Sequence, residues 1–374
     1  MYWIYNYIIC LLVALILARV IIPSIMSIAF KRQLFDEVDE RKIHRGSVPR
    51  LGGISFLPAL LFSFCVVIGC NIRLGMPGIW GAVSGPIVPI FFLLCALMLM
   101  YLVGIADDLI GVRYSAKFFF QIVAGVLIVM SGCWIHDLYG FLWIHEWPTI
   151  LGWGATIFVV IYVVNAINLI DGIDGLASGL SAIALGFYSW LFFKAGEYTY
   201  SLLAGAALGT LIPFFCYNVY GNAERHTKIF MGDTGALTIG TVLSFLMIRV
   251  FDIPQEAIHS ESNLLVLAIA PLILPCFDVV RVFFHRVRRG RNPFLPDKCH
   301  IHHKLLALTE QRQSLIIILF TDLVLVLLNV WISALGVQPT WIVLGDLVLW
   351  SVANVVLTSL IRRKERRRNI KLYD

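Results

Sequence analysis

The sequence is poor in charged residues and has no long polar segment. Only 14% of its 374 residues are charged, whereas 59% are hydrophobic and the mean hydropathy is +0.86. Soluble domains contain about 25% charged residues. This scarcity of charge excludes a soluble globular domain and predicts a polytopic integral membrane protein. No soluble nucleic-acid-binding module accompanies the basic runs, so we expect no nucleic-acid partner.

Paired cysteines are lacking too. None of the eight cysteines forms a C-x-x-C pair, so the sequence gives no sign of a paired-thiol metal or redox motif. Seven cysteines lie in or at the edge of apolar runs and are expected to be small buried hydrophobic residues. No basic residue precedes the first apolar run, which also lacks a small-residue cleavage site. We therefore expect a retained membrane span rather than a removable signal peptide.

Eleven apolar runs predict an all-α membrane protein with about 11 transmembrane helices. Each run has about 17 to 25 residues, enough to cross roughly 30 Å of hydrocarbon. The runs cover residues 4–30, 51–71, 84–106, 117–134, 149–167, 175–194, 200–218, 234–251, 263–281, 315–335 and 340–361. We expect one transmembrane domain over residues 1–361, followed by a basic tail over residues 362–374.

The basic residues predict the orientation of the chain. Of the 29 Lys and Arg, 25 lie in alternate gaps between the runs or in the tail. Only Arg73, Lys194 and Arg249 lie on the other side, and Arg19 lies inside the first run. By the positive-inside rule, the N-terminus is expected outside and the C-terminus in the cytoplasm. Anionic membrane lipids would reinforce this arrangement at the basic tail.

Adjacent carboxylates follow the third apolar run, at Asp107 and Asp108. Like charges at a helix C-terminus repel each other and oppose the helix dipole, unless a cation or water relieves them. A solvated turn is the alternative interpretation. The pair therefore favours a functional role beside a cation or a phosphorylated ligand.

The next gap on the same side reads Asn-Leu-Ile-Asp-Gly-Ile-Asp-Gly and contains Asn168, Asp171 and Asp174. Their spacing of three places them on one face of a helical turn. Gly172 and Gly175 would let a ligand approach the backbone. No Lys or Arg occurs in this gap, so these acids are expected to lack a local partner. The pattern predicts a pocket wall.

A further acid, Asp233, lies in Phe-Met-Gly-Asp-Thr-Gly just before a predicted helix. Capping of that helix is one interpretation of Asp233. In the company of the other acids, a ligand of a divalent metal is the interpretation that we favour.

Clustered imidazoles occur in the largest basic loop, at His300, His302 and His303. Together with the arginines of the loop, they could bind a diphosphate and its sugar. A structural zinc site that also uses Cys299 is the alternative, but these ligands are closer in sequence than the usual zinc spacings allow.

The loop after the first run also combines basic residues with a glycine pair. Lys42, His44 and Arg50 precede Gly52 and Gly53 at the start of the second run. Such an arrangement at a helix N-terminus suits anion binding, although positive-inside anchoring alone would explain the charges.

Taken together, five motifs resemble the polyprenyl-phosphate N-acetylhexosamine-1-phosphate transferases, glycosyltransferase family 4. The motifs lie between about residues 41 and 306 and include Gly-Ile-Ala-Asp-Asp-Leu, the Asn-Leu-Ile-Asp-Gly-Ile-Asp-Gly gap, and Phe-Met-Gly-Asp-Thr-Gly. The remaining two are Arg-Lys-Ile-His with Pro-Arg-Leu-Gly-Gly, and Asp-Lys-Cys-His-Ile-His-His. Ile301 interrupts the histidines, which is similar to the UDP-N-acetylglucosamine branch. The muramoyl-pentapeptide branch has three consecutive histidines.

The resemblance implies an enzyme of the bacterial plasma (inner) membrane. It would transfer an N-acetylhexosamine 1-phosphate from a UDP-N-acetylhexosamine to undecaprenyl phosphate at the cytoplasmic face, releasing UMP. Mg²⁺ is the expected cofactor, with Mn²⁺ as a substitute. Asp233 and Asp108 are the implied metal ligands, and Asp107 is the implied proton acceptor.

The resemblance also assigns the remaining site residues. The implied catalytic residues are Asp107, Asp108, Lys117, His300, His302 and His303. The implied substrate-binding residues are Lys42, His44, Arg50, Asn168, Asp171, Asp174, Asn218, Phe230 and Arg291. In the family, Asn is usually followed by Pro-Ala a few residues before the Phe-Met-Gly-Asp motif. The longer segment after Asn218 departs from that pattern and leaves its assignment open.

Two alternatives remain at this point. A muramoyl-pentapeptide transferase is disfavoured by the histidine pattern. A transporter would explain Asp322 and Asp346 within the last two runs, but the sequence shows no related halves. The sequence leaves three points open: the exact sugar, the surface-polysaccharide pathway, such as O-antigen or teichoic acid, and the oligomeric state, for example a homodimer.

Overall fold

The structure, a computed structural model, describes residues 2–34, 48–76, 78–258, 262–290 and 300–368. Within these ranges the chain is helical and contains no β-strand. The helices of the first half are α1 (Tyr2–Arg32), α2 (Phe56–Arg73), α3 (Ile79–Ser84), α4 (Ile87–Ile110), α5 (Tyr114–Met130), α6 (Thr149–Ile170) and α7 (Leu176–Lys194). Those of the second half are α8 (Tyr198–Tyr220), α9 (Gly232–Val250), α10 (Leu264–Ile269), α11 (Ile273–Arg288), α12 (Ile301–Leu306), α13 (Gln311–Ala334) and α14 (Pro339–Arg368).

Every predicted run corresponds to helical structure, and in the part of the chain that the structure describes, ten helical segments are long and apolar enough to cross a membrane. The prediction of an all-α polytopic membrane protein is therefore confirmed. The exception in length is α5, which has 17 residues and would be about 25 Å long. Helix α14 continues past residue 361, where the sequence predicts the start of the tail.

One span is interrupted. Between α10 and α11 the chain forms a 3₁₀ turn at Ala270–Leu272. Pro271 and Pro275 lie in and just after this turn, and proline cannot donate the hydrogen bond that a continuous helix requires. The break redirects α11, whose second half leads towards the histidine motif.

Close helix packing depends on glycines. A Cβ at Gly104 of α4 would lie 2.4 Å from Thr234 Cα of α9, and one at Gly240 of α9 would lie 2.8 Å from Val164 Cα of α6. Small residues let helix backbones approach in this way inside membranes. Helix α9 is therefore enclosed by its neighbours, and nearly all of its residues are buried.

The alternating direction of the helices brings the polar gaps to one end of the bundle, which we call the site end. Helices α4, α6 and α8 end there, and α5, α7 and α9 begin there. The opposite end contains the segment between α5 and α6. The acids predicted from separate gaps therefore lie at the same end of the bundle.

Candidate active site

Asp108 holds the first turn of α9. Its two carboxylate oxygens accept hydrogen bonds from Asp233 N at 2.7 Å, Thr234 N at 2.9 Å and Thr234 Oγ1 at 2.5 Å. Gly232 makes this approach feasible, because its φ is +71° and a Cβ there would lie 2.7 Å from both Asp108 carboxylate oxygens. The cap of α9 is thus supplied by another helix, and Asp233 does not act as the cap.

Asp233 is consequently available for other contacts. Its Oδ1 accepts a hydrogen bond from Asn168 Nδ2 at 2.7 Å and lies 3.4 Å from Lys117 Nζ. Lys117 also forms an ion pair with Asp107. The Asp233 side chain remains 29% exposed. The accessible carboxylate of Asp233 is therefore contacted by Asn168, from a second predicted motif, and by Lys117. Lys117 links it to Asp107 of a third motif.

Asp174 has partners from outside its own gap. Its Oδ2 lies 2.6 Å from Lys228 Nζ and accepts a hydrogen bond from Gln311 Nε2 at 2.8 Å. Lys228 is not a local partner, because it comes from a different gap that folds over Asp174. Lys228 Nζ also lies 5.9 Å from the ring centroid of Phe230.

Asp171 lies between the carboxylates and the histidines. Desolvation in this recess, together with the negative charges of Asp233 and Asp174, raises the pKa of Asp171 to about 7, although its side chain keeps contact with solvent. The positive charge of Arg50 acts to lower the pKa of Asp171. Such crowding of carboxylates favours a cation nearby, because positive charge would stabilise the ionised forms.

His302 is packed against the same turn. A Cβ at Gly172 would lie 2.1 Å from His302 Nε2, so only glycine leaves room for the ring. Both ring nitrogens are buried and have no hydrogen-bond partner among the described residues. Burial, reinforced by His303 and His300, lowers the pKa of His302 to about 3. The imidazole is therefore neutral at physiological pH.

The first histidine of the motif is oriented by a residue that the sequence analysis missed. Asp278 of α11 is fully buried, and its Oδ2 lies 2.8 Å from His300 Nδ1. Its Oδ1 accepts a hydrogen bond from Ile301 N at 3.1 Å and pairs with Arg281 Nη2 at 2.8 Å. A carboxylate near the end of an apolar run, on the side where the other acids cluster, was the signal that could have identified it.

The three imidazoles form a compact group. The rings of His300 and His302 are parallel within 6°, with centroids 5.6 Å apart, and the rings of His302 and His303 are 4.2 Å apart. Since His302 contacts the Asp171 turn, the structure brings the histidine motif next to the carboxylate motifs.

Other predicted residues support the site instead of lining it. Asn218 is buried; its side chain accepts a hydrogen bond from Gly175 N at 2.6 Å and donates one to Ile229 O at 2.8 Å. Gly52 N and Gly53 N donate to the backbone oxygens of residues 230 and 231 at 2.9 and 2.8 Å. The glycine pair therefore packs against the Phe-Met-Gly-Asp motif.

Comparison with known proteins agrees with this geometry. Residues 90–251 match the family model described as Glycosyl transferase family 4. Over these residues the chain is similar to glycosyl transferase family 4. The matched region contains Asp107, Asp108, Asn168, Asp171 and Asp233, so the resemblance inferred from sequence motifs is confirmed.

Curated members similar to this chain carry a consistent name. The undecaprenyl-phosphate alpha-N-acetylglucosaminyl 1-phosphate transferase of Yersinia pestis is 29% identical over 330 residues, covering 86% of this chain and 83% of that protein. The same-named protein of Salmonella typhimurium is 28% identical over 365 residues, 92% of each chain. A probable undecaprenyl-phosphate N-acetylglucosaminyl 1-phosphate transferase of Bacillus subtilis is 26% identical over 363 residues, 96% of this chain and 93% of that one.

Three residues assigned by resemblance to family 4, Lys42, His44 and Arg291, lie outside the described residues, as does Cys299 of the zinc alternative. In the part that is described, no group of three or more His, Cys, Asp and Glu side chains is arranged to hold a metal. The donor set fits Mg²⁺, which takes one or two protein carboxylates and completes its shell with phosphate oxygens and water. Asp233 fits this role. Asp108 already accepts three hydrogen bonds, which use most of its acceptor capacity.

An apolar cavity adjoins the histidine end of the candidate site. It has a volume of about 850 Å³ and lies between α6, α11 and α14. Tyr162, Phe277 and Trp350 belong to its apolar wall, whereas Arg281 and Arg288 add positive charge. Because Arg281 also contacts Asp278, the cavity connects directly to the residue that orients His300.

Proposed function

We propose that the chain transfers N-acetylglucosamine 1-phosphate from UDP-N-acetylglucosamine to undecaprenyl phosphate and releases UMP. The acceptor and the transferred group follow the names of the relatives. The observation that carries the proposal is the accessible carboxylate of Asp233, with Asn168 at 2.7 Å and Lys117 at 3.4 Å. A cation-binding carboxylate beside an ammonium group suits transfer between two anions.

In the reaction, a phosphate oxygen of the lipid forms a bond to the sugar-linked phosphorus, and the bond from that phosphorus to UMP breaks. A phosphate monoester has a second pKa near 6, so most of the acceptor is already ionised. Lys117 would offset the repulsion between the two phosphates. Asp107, paired with Lys117, would accept the proton from the fraction of acceptor that retains one.

We assign Asp233 as the principal ligand of Mg²⁺. When bound there, the ion would neutralise charge on the diphosphate and on the departing UMP. Asp108 keeps α9 in place, so that Asp233 points from the first turn of the helix with a fixed backbone. Asn168 would restrict the carboxylate further through its hydrogen bond to Oδ1.

The donor nucleotide is assigned to the wall formed by Asp171, Asp174 and Phe230. The Phe230 ring offers a surface on which uracil can stack, and the Lys228 pair with Asp174 fixes the loop that carries it. His300 and His303 would donate hydrogen bonds to the diphosphate and sugar, with Arg291 assisting, and the buried, neutral His302 would hold the motif against the Asp171 turn.

The acceptor chain is assigned to the apolar cavity between α6, α11 and α14. Its volume of about 850 Å³ accommodates only part of a long polyprenyl chain, and the remainder would extend into the bilayer. Arg281 and Arg288 at this cavity would attract the lipid phosphate towards the histidines.

The site end is proposed to face the cytoplasm of a bacterium, where UDP-sugars are made. This places the N-terminus outside and the C-terminus inside the plasma membrane. The support is the sequence, in which 25 of the 29 Lys and Arg lie in alternate gaps between the predicted spans or in the tail. The reaction would then be the first membrane step of a surface-polysaccharide pathway.

The test is release of UMP by detergent-purified protein. Undecaprenyl phosphate is supplied with UDP-N-acetylglucosamine, UDP-N-acetylgalactosamine or UDP-N-acetylmuramoyl-pentapeptide, with Mg²⁺ present or chelated. We expect lipid-dependent and metal-dependent UMP from UDP-N-acetylglucosamine, and a loss of at least about 100-fold in Asp233→Asn.

Glu224→Gln is the matched control, because it removes one carboxylate charge from an exposed loop at the same end. It should release UMP at the wild-type rate. Preference for another donor would change the assigned sugar. Full activity of folded Asp233→Asn would remove Asp233 as the metal ligand.

A further inference from the structure

Arg19 is a cation inside an apolar helix. It is the only charged residue between Tyr2 and Phe30 of α1, and its side chain is exposed. A cation within an apolar membrane helix is rare and usually has a partner or a function. Among the described residues, no carboxylate pairs with Arg19 and no hydrogen bond engages its guanidinium. The described residues therefore provide no counter-ion for its charge.

The depth of Arg19 follows from the packing of α1 along α8. The two helices run in the same direction, since Trp3 stacks on Tyr198 at the opposite end with centroids 4.6 Å apart. Arg19 shares a cavity with Tyr217 and Tyr220, in the last turn of α8. The guanidinium is thus level with the last turn of α8, at the site end of the bundle.

The cavity at this position has polar donors and a second cation nearby. Its volume is about 250 Å³, and Arg19, Tyr217, Tyr220 and Thr227 line it. None of the described residues that line it is acidic. Tyr220 is 68% exposed, and the guanidinium of Arg312, at the start of α13, lies 5.9 Å from the centre of its ring.

We propose that this cavity binds the phosphate of an anionic lipid head group at the site end of the membrane. A guanidinium binds a phosphate through two parallel hydrogen bonds, and tyrosine hydroxyls lie at the level of lipid head groups. The carbon stem of an arginine can lie along the apolar surface of a helix while its charge reaches the interface. Helix α1 leaves one apolar face exposed beside the cavity, where acyl chains can pack.

The phosphate has two sources with the same chemistry, a phospholipid of the leaflet or a polyprenyl phosphate. The probes are therefore phosphatidylglycerol, undecaprenyl phosphate and zwitterionic phosphatidylcholine. Each is titrated into the full-length protein in neutral detergent, and native mass spectrometry counts the bound lipids. We expect phosphatidylglycerol or undecaprenyl phosphate to bind at least tenfold more tightly than phosphatidylcholine.

Arg19→Gln should reduce that affinity at least tenfold, and Arg312→Gln should reduce it by a smaller factor. Arg73→Gln removes the same charge from an exposed position at the opposite end of the bundle, outside the cavity, and should bind as the wild type does. Size-exclusion profiles and unfolding temperatures establish that each variant is folded. The probe whose affinity depends on Arg19 identifies the source of the phosphate.

Two results would overturn the proposal. One is equal binding of both anionic lipids by wild type and Arg19→Gln. The other is equal affinity of the wild type for the anionic lipids and phosphatidylcholine. Should Arg19→Gln not fold, Arg19→Lys keeps the charge but not the paired hydrogen bonds, and unchanged affinity in that variant would contradict phosphate recognition by the guanidinium.

Discussion

His302 is a buried imidazole whose protonation is linked to folding. Its pKa is lowered to about 3 in the folded protein, mainly by burial, whereas an unfolded histidine has a pKa near 6.5. Below about pH 6.5 the unfolded chain binds a proton that the folded chain excludes, so acidification favours unfolding. Stability attributable to this group is complete above pH 6.5 and is lost progressively as the pH falls towards 3.

We therefore expect the difference in unfolding free energy between wild type and His302→Gln to change with pH. Between pH 6.5 and 4.5 the wild type should lose about 1.4 kcal/mol per pH unit more than the variant. The unfolding temperature, followed by tryptophan fluorescence in detergent, reports this difference. His145→Gln, at a side chain that is 72% exposed, should follow the wild-type curve. Parallel curves for wild type and His302→Gln would contradict a strongly lowered pKa.

The acids and histidines of the site could be selected from the sequence because they interrupt apolar runs. Their partners could not. Lys228 joins Asp174 across 54 residues, and Asp278 joins His300 from within a predicted membrane run. Such pairs depend on how the gaps fold over one another, which residue type and spacing do not specify. The assigned roles of Asp107, Lys117 and the histidines in the reaction remain predictions.

At the scale of elements, the site depends on how closely the segment containing Gly53 approaches α9. A Cβ at Gly53 would lie 2.0 Å from Gly235 N and 2.3 Å from Gly235 Cα. These are backbone atoms of a buried helix and cannot move independently. Gly53→Ala must therefore displace the segment or the first turn of α9, where Asp233 lies.

We expect Gly53→Ala to lower the free energy of unfolding by about 1–3 kcal/mol and to reduce UMP release more than tenfold. The unfolding temperature and the activity of purified protein measure both effects. Gly69→Ala in α2 is the control, because a Cβ there meets no atom within 4 Å. If the two variants behave alike, the close approach of this segment does not position Asp233.

Hydropathy predicts the helices well because each must satisfy its backbone hydrogen bonds inside the bilayer. It predicts their ends less well. The sequence places Asp107 after a run that ends at residue 106, yet α4 continues to Ile110 and both adjacent acids lie in its last turns. The sequence analysis also missed the interruption before α11. The mean hydropathy of an apolar segment stays high even where prolines break the helix. Neither feature changes which gaps share the site end.

At the scale of the whole molecule, alternation of the spans already requires every second gap to lie at the same end. That reasoning predicted the gathering of the carboxylate and histidine motifs without any contact being known. It could not predict that α9 lies at the centre, enclosed by α4 and α6, because hydropathy does not specify which helices are neighbours. That position follows from small residues such as Gly104 and Gly240, whose contacts become visible only in three dimensions.

Orientation across the membrane is the remaining property of the whole molecule, and it decides which substrates can reach the site. Glu224 lies in an exposed loop at the site end, and His145 lies in an exposed loop at the opposite end. In a variant from which the eight native cysteines have been removed, each position is replaced in turn by cysteine. Intact cells are then treated with a maleimide that does not cross the membrane.

We expect His145→Cys to be labelled in intact cells and Glu224→Cys to be labelled only after lysis, because the positive-inside rule places the basic gaps in the cytoplasm. Retained UMP release by the cysteine-free protein establishes that its fold is intact. The reverse labelling pattern would place Asp233 outside the cell, away from cytoplasmic UDP-sugars. The proposed donor would then be excluded even if the chemistry of the carboxylates were correct, so the orientation and the substrate must be tested together.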